Sequence, residues 1–383
     1  MKSDSSRRNF LAAGLALPAG LAANQTTQAA AAPKAAARPA GAPAFRTLGK
    51  TGIKVSTVGF GCMITSDASV VSRAIDMGIT YFDTARVYQS GNNERMVGGC
   101  LQGKRDKVVL SSKSMARTAS EAMTHLETSL QELRTDHLDI WYMHARDNAS
   151  AIPDELVAAW ENAKKQGKIR AIGVSTHNPN AIVDRVLETG KFEALLSVYN
   201  FTVGTNSDAA FKRLSDAGIG LVAMKVMAPA RPGGASNAPQ MKNTGGPLAA
   251  LKWVIKNPLF ATSIPSMVDM EMLDENFRAM SEPYGAQDAK VLAVLNEQVR
   301  PLYCRMCYQC SGQCPKGVPV PDAIRYLSYA DFYGQFALGR EHFMALPQEV
   351  RDVRCSDCSS CAVRCPNGVR VAERLIRAQK LFA

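Results

Sequence analysis

"VSTVGFGC", residues 55–62, is a short apolar run punctuated by two glycines, and it begins a pattern that runs to residue 264. From it onward, short apolar runs alternate with amphipathic stretches. Strands are expected over 57–61, 79–82, 107–112, 138–143, 169–174, 194–199, 220–225 and 260–264, with helical windows such as 118–134, 152–166 and 178–188 between them. Window 118–134 sets Ala122, Leu126, Leu130 and Leu133 on one face. Eight strands, each followed by a helix-like segment, is the count of a (β/α)8 TIM barrel. A doubly wound dinucleotide-binding sheet is the rival, and the absence of a G-x-G-x-x-G after the first strand argues against it.

Barrel chemistry sits where strands end. Asp83 follows "ITYF" with Tyr88 five residues on, Lys113 follows "KVVLSS" and His144 follows "DIWYM". Singly these read as a helix cap, a surface lysine and a core imidazole. Together, at successive strand ends, they make a proton-transfer set. A tyrosine hydroxyl is a weak acid near neutrality, a lysine cation beside it favours the phenolate, and a carboxylate holds the lysine charged and in place. A histidine can then orient a carbonyl. That is machinery for reducing a carbonyl or oxidising an alcohol beside a hydride donor.

The stretches "FRTLGKTGIKVSTVGFGC", "GITYFDTARVYQSGNNERMVGGCL", "VVLSSKS", "DIWYMH" and "IRAIGVSTHN" resemble the aldo/keto reductase superfamily over roughly residues 45 to 280. The resemblance implies a catalytic tetrad of Tyr88, Asp83, Lys113 and His144, with Tyr88 as general acid/base. It also implies NAD(P) lying extended across the top of the barrel. Its nicotinamide-carboxamide grip falls on Ser175 and, in place of the usual Asn, Thr176. The usual strand-end Gln is Leu196, and the ring-stacking aromatic is Met224. The adenine-contacting pair falls on Glu275 and Asn276. Cations that grip a 2′-phosphate in many relatives are replaced by Ser266 and Met272, with Arg278 nearby as a substitute. The Gly/Pro-rich stretch 227–246 is either a phosphate-embracing flap or a plain surface loop.

Eight of the ten cysteines crowd into two runs, "CRMCYQCSGQCP" (304–315) and "CSDCSSCAVRCP" (355–366). Both read C-x2-C-x2-C-x3-C-P, the spacing of two-cluster ferredoxins, in which three thiolates of one run wrap a cubane and the fourth reaches the other cluster. Two [4Fe–4S] clusters are therefore expected, one on Cys304, Cys307, Cys310 and Cys365, the other on Cys355, Cys358, Cys361 and Cys314. Zinc leaves the triple spacing unexplained, and disulfides pair poorly along so short a turn; both stay open as alternatives. The segment between the runs reads as helical, with Ile324, Leu327, Tyr329, Phe332, Phe336 and Phe343 as its apolar residues. Cys62 and Cys100 stand apart and read as ordinary buried residues.

At 383 residues, two or three domains are expected. Residues 1–32 have a twin-arginine signal layout, Ser6-Arg7-Arg8-Asn9-Phe10-Leu11 before an apolar run, and 33–44 read as a flexible leader. The barrel is expected over 45–285, then a helical linker (helix 286–299) and a small, mainly helical ferredoxin-like domain over 286–383. The net charge of +11 invites a nucleic-acid partner. Residues 1–44 carry +4 of it, and two loaded cluster sites at roughly −2 each leave about +3. No basic stripe with interleaved aromatics is present, so no nucleic acid is expected. The whole reads as a periplasmic oxidoreductase, exported folded by the twin-arginine translocase. It moves a hydride between nicotinamide and a small aldehyde, ketone or sugar, with clusters for electron transfer to a redox partner or for structural support. The alternative is a non-catalytic barrel serving as an electron-transfer or binding module.

Overall fold

The computed structural model describes residues 42–203, 206–230 and 245–383. The expected signal peptide, most of the leader and most of the 227–246 loop lie outside the described residues. Arg38–Ala383 is one compact unit, so the barrel and the cysteine-bearing region are described together.

A hairpin of β1 (Phe45–Thr47) and β2 (Lys54–Ser56) precedes the barrel. The barrel strands are β3 (Phe60–Gly61), β4 (Tyr81–Asp83), β5 (Val109–Ser114), β6 (Leu138–Met143), β7 (Ile169–Thr176), β8 (Ala194–Val198), β9 (Gly220–Met224) and β10 (Phe260–Ser263). All eight are parallel and pair in chain order. Parallel bridges Val58–Ser263 and Gly61–Ser266 close the seam.

The two glycines of the opening stretch belong to that closure. A Cβ on Gly61 would stand 2.6 Å from the Ile264 carbonyl oxygen, and one on Gly59 would stand 2.9 Å from that of Tyr81. Only a glycine lets the backbones approach so closely. The hairpin, which sequence periodicity did not reveal, plugs the other end: Leu48, Ile53 and Val55 join Tyr81, Ile140 and Val222 in the barrel interior. Inside, the hydroxyls of Tyr81 and Tyr142 satisfy each other at 2.8 Å. A second, larger core lies between strands and outer helices, where Trp141 stacks on Trp160.

Beyond the barrel, the helix Ala286–Val299 leads to the cysteine-bearing region, which contains helices Val320–Tyr333, Phe336–Met344 and Val371–Phe382. Ile324, Leu327, Phe343, Leu375 and Phe382 form its core. Phe336, expected on the apolar face, is 46% exposed, because it sits at the first turn of its helix and touches only the edge of that core through Phe382. Cys62 is buried, but Cys100 is only partly so, at the end of helix Asn92–Cys100. Among the described residues no helix is long and apolar enough to cross a membrane.

Candidate active site

Asp83 is the last residue of β4 and is buried. One carboxylate oxygen accepts from Ser111 Oγ at 2.7 Å, the other from Lys113 Nζ at 2.5 Å. Lys113 lies inside β5 rather than beyond its end. Its other two N–H donors go to the Thr84 carbonyl at 2.7 Å and the Tyr88 hydroxyl at 3.2 Å. An ammonium has three donors, and all are spent. His144 follows β6, and its ring meets the Tyr88 ring edge-on at 5.9 Å. The structure thus brings all four expected residues to one mouth of the barrel.

The electrostatics amend one expectation. Lys113 does pull the Tyr88 pKa down, but burial outweighs it and pushes the hydroxyl up to about 12. Tyr88 is therefore a protonated phenol at neutral pH, a proton donor more than a base. Burial lowers His144 well below the ordinary imidazole value, with the Lys113 charge adding to it. The ring is neutral, and its buried Nδ1 has no partner among the described residues.

Around this mouth lie the positions that resemblance assigned to the dinucleotide. Ser175 Oγ accepts from the Ala145 N–H at 2.9 Å and keeps its own proton to donate. Thr176 Oγ1 donates to Asp147 at 3.0 Å, so it is not free to grip a carboxamide. Met224 ends β9, and Leu196 is buried in the barrel interior. Ser266 sits on the barrel seam. The expected substitute cation, Arg278, is paired with Glu282 at 2.7 Å on an exposed face. Glu275 is partly buried on the same helix as Asn276. Asn276 is fully buried, and neither end of its carboxamide has a partner among the described residues. A buried amide is rarely left unpaired, and a purine edge offers the matching donor and acceptor, so the adenine end fits a nucleotide.

The cysteine-bearing region docks on this mouth. Asp147, three residues after His144, accepts from the His177 N–H at 2.6 Å and from the Tyr308 hydroxyl at 3.2 Å. Arg325 Nη1 lies 2.6 Å from His177 Nδ1 and 3.4 Å from Asp147, and Nη2 bonds Asp322 at 2.6 Å. A guanidinium can only donate, so His177 Nδ1 must be the acceptor and the imidazole neutral. Its 3.2 Å approach to Asp147 is then a contact and not a hydrogen bond. Burial, with the Arg325 charge, agrees by lowering His177 to about 4. Further along the mouth, Lys225 meets the Tyr329 hydroxyl at 3.4 Å.

His342 is likewise lowered to about 4, chiefly by burial. Both imidazoles take up a proton on unfolding at any pH between that value and the ordinary one, so stability is full above about 6.5 and drains as pH falls toward 4. Urea titrations at pH 6.5 and 4.5 should therefore show stability falling by on the order of 2 kcal/mol per histidine. His177→Gln should reduce that fall; an unchanged slope would mean His177 is not a source of it.

The thiols sort into two sets. Cys304 is electrostatically coupled to Cys307, Cys310 and Cys365, and Cys355 to Cys358, Cys361 and Cys314. The last cysteine of each run thus faces the other run. All are free thiols, so no pair is a disulfide. Among the described residues no three His, Cys, Asp or Glu converge closely enough to hold a single ion. Sulfur also receives donors, Met306 N–H on Cys304 at 3.4 Å and Asn367 Nδ2 on Cys307 at 3.2 Å. Burial raises Cys304 to about 12 and Cys310 to about 11, so a positive centre is needed to hold them as thiolates. This donor set fits iron–sulfur clusters.

Asp147, His177, Lys225, Arg325 and Tyr329 were not singled out as site residues from sequence. Asp147 and His177 adjoin strand-end residues that were, which is a usable signal. Arg325 and Tyr329 lie on a helix that reads only as amphipathic.

Residues 65–247 match the family described as aldo/keto reductase, and residues 303–369 match the 4Fe-4S dicluster domain. The uncharacterized oxidoreductase YqkF of Bacillus subtilis is 32% identical over 37% of this chain and 51% of its own length. The chain thus spans about half of that relative. YrpG of the same organism, also an uncharacterized oxidoreductase, is 28% identical over 66% of this chain and 95% of its own. An aldo/keto reductase structure from Klebsiella pneumoniae, in complex with NADP and acetate, covers 66% of this chain and 95% of its own at 23% identity, with a TM-score of 0.56. That likeness is one of fold.

Proposed function

We propose, from the premise that the chain carries an aldo/keto reductase domain with a 4Fe-4S dicluster domain behind it, that it reduces a small carbonyl compound with a nicotinamide cofactor. The carrying observation is the closed chain Asp83–Lys113–Tyr88 facing neutral His144 at the barrel mouth. The NADP bound to the Klebsiella relative and the unpaired Asn276 amide support the cofactor.

A reduced nicotinamide, when bound, supplies the hydride. The residues of this chain supply the rest. Tyr88 donates its phenolic proton to the carbonyl oxygen as negative charge develops there. Lys113, held by Asp83 and the Thr84 carbonyl, then faces the phenolate that Tyr88 becomes. His144 is neutral and orients the carbonyl by a hydrogen bond. With the hydroxyl raised to about 12, the proton-donating form that carbonyl reduction needs is the populated one near neutral pH.

The reading includes two clusters, one per thiol set, which staple the region whose helix Val320–Tyr333 covers the mouth. Export folded to the periplasm remains part of it, resting on the Arg7-Arg8 segment. The test is the visible spectrum of anaerobically purified protein given NADH or NADPH with and without aldehydes, ketones and sugars. Nucleotide oxidation that requires a carbonyl, beside an unchanged cluster band, is expected. A band that bleaches with no carbonyl consumed would instead make the barrel an electron-transfer module.

A further inference from the structure

Lys225 is the lysine at this mouth that the reductase reading leaves unused. It follows β9 with φ +57°, a left-handed backbone that a non-glycine residue adopts at a cost of about 1–2 kcal/mol. Such strain persists where the surroundings dictate it, often at functional sites. The conformation places its ammonium beneath the cluster-bearing region, 4.6 Å from the Tyr329 ring centre and 5.2 Å from that of Tyr333.

Donor counting sets it apart from Lys113. Lys113 spends three N–H bonds on three acceptors. Among the described residues Lys225 has one acceptor, the Tyr329 hydroxyl at 3.4 Å, and no carboxylate within ion-pair range. The carboxylate whose charge bears on it, Asp147, is already taken by Thr176, His177, Tyr308 and Arg325. Two aromatic faces offset part of the cost of covering a cation, but they accept no strong hydrogen bond. Its two unspent donors stand at the same mouth as the tetrad, because Lys225 follows parallel strand β9 as His144 follows β6; Tyr329 lies near enough to Tyr88, and His342 to His144, to act on their charge.

The geometry points to an oxyanion subsite between barrel and cluster domain, built on Lys225 and Tyr329, that binds the carboxylate of an oxo-acid substrate. This rests on the reductase reading and narrows its substrate class. The carboxylate is a spectator. Hydride adds to the carbonyl carbon, Tyr88 protonates the oxygen, the carbonyl becomes an alcohol and the nicotinamide is oxidised. A neutral sugar or aldehyde would leave two ammonium donors unpaired at the site. A dinucleotide phosphate is the other source of the same chemistry, and the test separates the two.

The full, cluster-loaded chain is assayed with pyruvate against methyl pyruvate and with 4-carboxybenzaldehyde against its methyl ester, at varied NADPH and NADH. An acid-over-ester preference in kcat/KM of about tenfold or more is expected. Lys225→Met should abolish that preference, Lys225→Arg should restore part of it, and Tyr329→Phe should weaken it. Calorimetry with oxamate, a non-reacting pyruvate mimic, reads the subsite without turnover, and Lys225→Met should weaken binding about tenfold or more. An unchanged acid-to-ester ratio with a raised NADPH Kd in Lys225→Met would assign Lys225 to the dinucleotide and overturn the proposal. If no carbonyl is turned over, the reductase reading fails by itself. Oxamate binding that depends on Lys225 then still upholds the subsite, and its absence sinks it.

Discussion

Tyr88→Phe should lower kcat for carbonyl reduction by about 10²–10⁴-fold, the usual contribution of a positioned general acid, while the protein stays folded and its cluster spectrum unchanged. The lost hydroxyl makes one bond, to Lys113 at 3.2 Å, so the stability change should be only about 1 kcal/mol. Lys113→Met is the informative companion. It too should remove turnover, but it strands Asp83, which is 1% exposed and whose other oxygen is held by Ser111. Breaking a buried pair by deleting one partner costs about 3–5 kcal/mol. Steady-state kinetics with chemical denaturation on both variants separates the chemistry from the scaffold. A Tyr88→Phe protein that keeps full turnover would mean the barrel mouth is not the reducing site.

The second large effect is structural. Arg325 is 8% exposed and joins the cluster-bearing region to the barrel through His177 and Asp147 while also holding Asp322. Arg325→Met leaves two carboxylates without their cation in a covered interface, again about 3–5 kcal/mol. Calorimetric scans should show the transition of residues 303–383 falling away from that of the barrel. Amide exchange should rise in the loops at 144–148 and 175–178, which the docked region covers. One cooperative transition shifted by only a degree or two would mean the apolar contacts, and not this interlock, seat the domain.

Much of the fold was legible because its signals are local. β6 stands at Leu138–Met143, where the sequence placed it, since a run that is apolar but for Asp139 needs no partner to be recognised. The helix Ala286–Val299 was equally plain. The sequence pattern sets β5 two residues early, because Ser111, Ser112, Lys113 and Ser114 resemble a strand's polar end. They are buried strand residues whose partners lie elsewhere: Asp83, Glu94 and His125. The hairpin leaves no mark in the sequence pattern, because three-residue strands carry too little periodicity.

By itself, then, the amino-acid sequence determined the barrel, the eight thiols and the four residues at its strand ends. Each follows from spacing within one segment, and strand direction alone decides that side chains at the ends of β4, β5 and β6 share one mouth. What only the tertiary structure decided is what covers that mouth. Arg325 reaches His177 across 148 residues of chain and Lys225 meets Tyr329 across 104. No local propensity encodes such a contact. Burial likewise set the protonation of Tyr88 and His144, because desolvation depends on every element packed around a group and not on its neighbours in the chain.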